Sequence, residues 1–450
     1  MLAVALAEVA AVPLPAAWAA ACAGQVRYAS STNTIYLTSG TATLTAIKAA
    51  CPAAPLTLVD PATRTWQLDA DLVVQNGAGL VLHGRAAGGD VDVLRLRSAA
   101  DAVKAHVSAI TAQSGDLDLD GVTVTSWDPG ANAPDTDPGL PANPPAGARG
   151  RAFIRALSYL DGSTPHESRL DIANSDLSYL GWYDAESYGI AYKARGCDAD
   201  HLSVCAALTV SGSERNSRFH HNYMGTYVFG GHQLSFTGNE YDHNVMYGLD
   251  GHDDSDNLVI THNHFHDNGD HGLICSRRCD HLDIENNESD HNGIPPFAFP
   301  GDQDTSDNQV HGIMLHRGVT DSVVAGNSVH DQPNGAGIAV FDCTGDVIEN
   351  NTVTRARYGL RFSAGTTGTR MLGNTVTNSG KYGVYTYRGA DTPTYSTPSG
   401  RPTNLYFAGN TIDSGTGVAA QINDADGSTF TGNTITGATR TSNSTGTTFS

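Results

Sequence analysis

The stretch THNHFHDN (residues 261–268) follows TGNEYDHN (237–244) and precedes ENNESDHN (285–292), with an asparagine third in each octet. The same asparagine is read upstream at Asn216 in ERNSRFHHN. Downstream it returns at Asn327, Asn351, Asn374, Asn410 and Asn433. Successive spacings from Asn216 are 23, 24, 24, 40, 24, 23, 36 and 23 residues. The two long gaps equal one period plus an insertion of about 16 and 13 residues, the period being a repeat-protein signature. A period of two dozen residues with only short Val/Ile/Leu/Tyr runs has room for three strands and three turns, one coil of a β-helix. A propeller blade needs about 40 residues, and the leucine skeleton of a horseshoe is missing. The fold expected is an all-β, right-handed parallel β-helix in one elongated domain. An asparagine at a fixed turn tolerates left-handed torsions, and its amide can bond to the equivalent turn above and below.

A second phase of the repeat follows each turn: YGLDGHD (247–253), HGLICSR (271–277), HGIMLHR (311–317), AGIAVFD (336–342), YGLRFSA (358–364) and YGVYTYR (382–388). Strand alternation makes Leu249, Leu273, Ile313, Ile338, Leu360 and Val384 one inward column. Gly251, Cys275, Leu315, Val340, Phe362 and Thr386 make the next. Asp250, Ile274, Met314, Ala339, Arg361 and Tyr385 then face out, as do His252, Ser276, His316, Phe341, Ser363 and Tyr387. A bland solvated sheet would show Ser, Thr and Lys here; a face mixing ionisable and aromatic groups reads as a binding surface. The insertions at 293–310 and 389–402 border that face and read as its walls.

The flanks are less periodic. Residues 1–23 are small and apolar like a secretory leader, but they lack a basic start and are interrupted by Glu8 and two prolines; they read as a truncated signal peptide. A lipid-modified Cys22 is compatible with this reading. Residues 24–149 read as N-terminal coils and a cap, with a Pro/Gly/Asp loop at 127–148. Residues 150–437 read as the main solenoid and 438–450 as a flexible polar tail. No segment after the leader approaches a membrane span. Seven cysteines without a repeated CxxC argue against structural zinc. Cys22 with Cys51 and Cys197 with Cys205 are candidate disulfides of an exported protein. Cys275 and Cys279 could also pair, or Cys275 and Cys343 could be small core side chains.

The charge balance is 26 basic to 47 acidic side chains, a net −21. That excludes the basic stripe of a general nucleic-acid binder. Binding of an anion depends instead on the local field, and Arg277, Arg278, Arg317, Arg361, Lys381 and Arg388 all fall on or beside the one face. The many His/Asp turns, such as 242–244, 266–268 and 290–292, are read as turn groups bonded between coils. No metal site is assigned.

The segments SDLSYLGWYDAESYGIAYK (175–193), NSRFHHNYMGTYVFGG (216–231), YGLDGHDDS (247–255) and HGLICSR (271–277) resemble the mannuronan C5-epimerases of the periplasmic, alginate-modifying type. The resemblance is continuous over about 170–345. The family signature Tyr-Gly-x-Asp-Pro-His-Asp/Glu falls on Tyr247, Gly248, Asp250, Gly251, His252 and Asp253, with Gly251 in place of the proline. The resemblance implies His252 as catalytic base or acid, Asp250 and Tyr247 as supporting groups, and Arg277 as the clamp on a substrate carboxylate. It implies an extracytoplasmic enzyme that acts as a monomer on an anionic polyuronate and needs no cofactor. Calcium is admitted through calcium-dependent relatives, although GHDDSD lacks the spacing of a calcium loop.

The residue chemistry agrees. Removing the C5 proton of a uronate throws charge onto the adjacent carboxylate, which a permanently charged guanidinium can grip with two bonds. His252 has the side chain whose ordinary pKa suits a base near neutrality. Strict alternation would point Arg277 inward, so the strand must end by Ser276. Candidate substrate contacts are Asp253, His271, His311, His316, Arg317, Phe341, Asp342, Arg361, Tyr385 and Tyr387. β-Elimination would use the same groups, and a non-catalytic polyuronate-binding solenoid is the alternative of another class.

Overall fold

The computed structural model describes residues 22–98, 107–138, 150–183, 187–293 and 310–450. The expected leader, but for Cys22 and Ala23, and the insertion at 293–310, but for its two end residues, lie outside the described residues. So do residues 139–148 of the Pro/Gly loop.

In the main run of coils three short strands are laid down per coil, each paired in parallel with its counterpart one coil on. Among the described residues, antiparallel pairs such as Val26–Ala29 with Thr34–Leu37 occur only upstream. In the coil that begins at Leu249, the first face carries Leu249–His252, the second Val259–Thr261 and the third His264–His266. These pair with Leu273–Ser276, Asp283–Glu285 and Glu288–Asp290 of the following coil. The architecture is the expected right-handed parallel β-helix. The inward columns are as the alternation requires: Leu249, Leu273, Ile313, Ile338, Leu360 and Val384 pair in series and are all buried. No single coil could shelter such side chains; stacking makes them one continuous core. Rings also stack along the axis, with Phe219, Tyr241 and Phe265 spaced 5.0 Å apart. At the N-terminal end a helix, Leu44–Ala50, buries Leu44 and Ile47 against the first coils.

The asparagine ladder runs through Asn239, Asn263, Asn287, Asn327, Asn351, Asn374, Asn410 and Asn433. Each Oδ1 accepts the backbone N–H of the equivalent residue one coil earlier, as Asn287 does from Asn263 at 2.9 Å. The Asn287 side-chain amide donates to the Ile260 carbonyl and to Asn327 Oδ1. Two details differ from the expectation. Asn216 is off the ladder by one residue: Ser217 fills the rung and donates its N–H to Asn239. The left-handed residue is also not the ladder asparagine but the one before it, including Asn216, His262, Asn286 and Asn350. The ladder side chain must turn inward to be shielded from water, so the sharp turn falls to its predecessor. A second, shorter ladder joins Asn222, Asn244, Asn268 and Asn292 at the turn between the third and first faces, and it accounts for the asparagines of the DHN and HDN turns.

Cys22–Cys51 and Cys197–Cys205 are bonded. Cys275 and Cys279 do not pair; both are buried core thiols, like Cys343. Residues 438–450 depart from the expected loose tail. Thr434–Ser442 pairs with the preceding coil, and Thr448–Phe449 adds a strand to the second face. Their polar side chains are exposed, but the last coil offers a free ladder that satisfies their backbone groups. Among the described residues no helix is long and apolar enough to cross a membrane.

Candidate active site

The outward columns of the first face form one continuous strip. Tyr227, Asp250, Ile274, Met314, Ala339, Arg361 and Tyr385 are consecutive partners, and Phe229, His252, Ser276, His316, Phe341 and Ser363 run beside them. Ile274, Met314, Ala339 and Phe341 pack with Tyr358 into an apolar floor, edged by Tyr247, Tyr382, Tyr385 and Tyr387.

The strand Leu273–Ser276 ends where the sequence requires, and Arg277 takes a left-handed conformation, φ 63°, which carries its side chain out of the inward register. Asp253, Arg317, Asp342 and Ala364 occupy the same turn position and are left-handed too. This turn puts His252 and Arg277 on one side of the rod, around a common carboxylate. His252 Nδ1 lies 2.6 Å from Asp253 Oδ2, in a direction short of a formed hydrogen bond, and Arg277 Nη1 lies 3.6 Å from the same oxygen. Arg278 Nη2 is 3.5 Å from the other oxygen and clamps Asp254. The Asp253 side chain is 4 % exposed against 43 % for Arg277. Asp253 is therefore enclosed by its neighbours and does not sit as a substrate contact. A carboxylate this close to Nδ1 favours the tautomer with its proton on that nitrogen, which leaves Nε2 as the basic one.

Asp250 is buried beside this pair. Burial pushes its carboxyl up to about 6 against the opposing pull of His252 and Arg277. Upstream, Tyr227 and Phe229 bracket the His252 ring at 5.9 and 6.0 Å. Burial, then the Asp250 charge, holds the Tyr227 hydroxyl well above its ordinary range.

Tyr247 begins a stack of rings that crosses three coils. It lies 5.4 Å from His271, which lies 5.2 Å from His311, all nearly parallel. The His311 backbone N–H donates to His271 Nδ1, and the Ala336 N–H donates to His311 Nδ1, both at 2.9 Å. Each Nδ1 is thus an acceptor and each ring carries its proton on Nε2. Burial pushes His271 down to about 3 and holds His311 well below its ordinary value. Both rings stay neutral near pH 7 and can offer only an N–H, so neither competes with His252 as a base.

The described insertion at 389–402 does wall the face, but it also occupies two residues expected to be free. Asp391 places Oδ2 3.2 Å from His316 Nε2 and Oδ1 3.2 Å from Arg317 Nη2. Asp342 does not face the groove as a substrate contact. It is buried and accepts the N–H groups of Tyr395 and Ser396, because the left-handed turn aims its carboxylate at the insertion. Arg361 is buried among Phe341, Tyr358 and Tyr387, its guanidinium 4.8–5.3 Å from the ring centres, and it donates to the Tyr387 hydroxyl. Tyr385 stacks on Tyr387 at 4.9 Å. Arg361 and these rings form an aromatic shelf two coils beyond His316.

Tyr227, Phe229, Tyr188 and Lys193 were not singled out in the sequence. Counting one coil back from Asp250 and His252 would have found Tyr227 and Phe229. Lys193, paired with Phe229 and 4.7 Å above its ring, follows one coil earlier. Asp391 carries no periodic signal. Among the described residues, the imidazole-containing clusters of metal-type donors lie on the third face and not between His252 and Arg361.

The family model described as "Right handed beta helix region" matches residues 208–298 and 274–440. The chain is similar to the mannuronan C5-epimerase of Pseudomonas syringae pv. tomato, 26% identical over 183 residues, 40% of this chain and 31% of that one. It is likewise similar to mannuronan C5-epimerase AlgG of Azotobacter vinelandii, 26% identical over 223 residues, 49% of this chain and 38% of that one. The chain thus spans about a third of the length of these curated relatives. Among solved structures, the periplasmic alginate epimerase AlgG superposes with a TM-score of 0.65 at 18% identity, over 93% of this chain and 85% of that one. This last likeness establishes the fold.

Proposed function

Since the chain belongs to the right-handed β-helix family, with its ionisable and aromatic groups gathered along one face, we propose that it is a mannuronan C5-epimerase. It would convert β-D-mannuronate to α-L-guluronate within alginate or a similar polyuronate. The observation that carries this reading is the placement of His252 and Arg277, one coil apart, about a single carboxylate.

In this reading His252 Nε2 removes the C5 proton. Arg277, nearly half exposed and unshared with any closer anion among the described residues, receives the sugar carboxylate as charge spreads onto it. Such a preorganised contact contributes a few kcal/mol to the transition state. Asp253 holds both groups in place. Tyr247, or a water ordered by it, returns a proton to the opposite face of the ring. The N–H of His271 and the aromatic shelf around Arg361 would hold neighbouring sugars, whereas the His311 ring, fully buried, backs His271 from beneath the groove. The relatives named as epimerases and the two disulfides support an extracytoplasmic epimerase.

The test is incubation of purified protein with polymannuronate, followed by ultraviolet absorbance and proton NMR. Guluronate signals without new absorbance are expected, and they should vanish in His252→Ala while oligomannuronate still binds. Absorbing chain ends would assign β-elimination instead. Unchanged polymer would leave a binding protein.

A further inference from the structure

The third face lies around the coil from the groove and carries a separate constellation. Its strands Glu240–Asp242, His264–His266, Glu288–Asp290 and Ser328–His330 stack in register. Tyr241, Phe265, Ser289 and Val329 point inward and are buried. The outward columns therefore read Glu240, His264, Glu288, Ser328 and Asp242, His266, Asp290, His330.

Two imidazoles and two carboxylates converge around Asp290. His264 Nε2 is 2.6 Å from Asp290 Oδ2. His330 Nε2 is 3.0 Å from Glu288 Oε1 and 4.0 Å from Asp290 Oδ2. Donor atoms of His264, Glu288 and Asp290 all lie within 4.8 Å of one another. We propose that His264, Glu288, Asp290 and His330 form a binding site for a divalent transition ion of the zinc class, independent of the catalytic groove.

The neighbouring coil supplies a second, separate observation. Glu240, Asp242 and His266 make a similar cluster, but a cation is already built into it. Arg218 reaches Asp242 with two bonds of 2.8 Å and stands 3.6 Å from Glu240. Among the described residues no Lys or Arg pairs with Glu288 or Asp290, so that pair of carboxylates meets only imidazoles, those of His264, His291 and His330. Two nitrogen and two oxygen donors suit zinc and its first-row neighbours, which bind such ligands at about 2 Å in a near-tetrahedral array. Calcium prefers six or more oxygens. Donor atoms of His264, Glu288 and Asp290 are already mutually close, and His330 Nε2, 3.0 Å from Glu288 Oε1, would turn inward as the fourth ligand. The site would join the coil before the 40-residue gap between Asn287 and Asn327 to the coil after it. An ion there staples the solenoid beside the longest insertion between consecutive rungs.

The experiment titrates untagged, chelator-stripped protein with zinc chloride in a calorimeter, with calcium present in excess. One saturable equivalent per chain is expected. Glu288→Gln, which preserves shape, should weaken it at least tenfold, and His264→Ala/His330→Ala should remove it while the circular dichroism stays that of the parent. His266→Ala should leave it unchanged. No saturable equivalent in the parent, undiminished binding in both Glu288→Gln and the double variant, or loss in His266→Ala alone would each overturn the assignment.

Discussion

Replacing Asp253 with Asn tests the arrangement at its centre. The residue has φ 29°, a conformation that asparagine tolerates as well as aspartate, so the substitution changes charge with little backbone cost. The carboxylate is 4 % exposed and lies 2.6 Å from His252 Nδ1 and 3.6 Å from Arg277 Nη1. An amide at this place has one acceptor and one donor group. If its oxygen faces the imidazole, its NH2 meets a guanidinium; if it is flipped, its NH2 meets the imidazole and favours the tautomer with Nε2 protonated and useless as a base. Opposite charges at about 4 Å and an effective dielectric near 20 attract by about 4 kcal/mol. Arg277 is too exposed for its pair to contribute more than about 1 kcal/mol of that. Most of the loss should thus come from misplacing the imidazole proton. In other base-carboxylate pairs that loss is about 10⁴-fold; here a fall in kcat of about 10² to 10⁴, or about 3 to 5 kcal/mol, is expected. KM should move little, because Asp253 does not face the groove. The assay is the initial rate of guluronate formation by NMR on polymannuronate, with melting curves to verify folding. A folded Asp253→Asn variant that keeps kcat within threefold of the parent would refute the reasoning.

Four further outcomes follow from other parts of the molecule. Arg277→Lys keeps the charge but loses the planar fork, and kcat/KM should fall about a hundredfold, as measured by the same NMR rate. Asp391→Asn removes the internal carboxylate on His316 and Arg317; calorimetry should show oligomannuronate binding several-fold tighter, and an unchanged Kd would mean that sugars never reach Arg317. Glu214 is fully buried under Thr226 and Tyr241, and burial pushes its carboxyl from 4.5 up to about 8. Between those values the folded chain holds the extra proton, so stability falls as pH rises through that window, by about 3 kcal/mol at pH 7. Glu214→Gln should flatten the decline of Tm between pH 5 and pH 8. Asn287→Ala strips a rung that accepts from Asn263 and donates to Ile260 and Asn327. Denaturant unfolding should show a loss of about 2 to 4 kcal/mol.

Much of the groove was legible before any coordinates. A parallel solenoid repeats its pairing by simple addition, so the 24-residue step from Asp250 to Ile274 and from His252 to Ser276 is also the strand register. Alternation then decides which side chains leave the core. The same arithmetic misleads at Asn216, because the step up to Asn239 is 22 residues and Ser217 takes the rung. Asp342, a candidate substrate contact by sequence, lies outside the groove. Its actual partners, Tyr395 and Ser396, belong to an insertion that no period describes.

The amino-acid order by itself determined the coil length, the inward and outward columns, and hence the shared face of His252 and Asp250. Each follows from hydrogen bonding between equivalent residues, a local and repeating interaction. Tertiary structure alone decided where side chains go at turns and insertions. It settled how far Arg277 swings around Asp253, which nitrogen of His271 and His311 bears the proton, and that a carboxylate 74 residues along the chain lies on Arg317. Those outcomes depend on partners brought close only when the coils stack, so no periodicity encodes them.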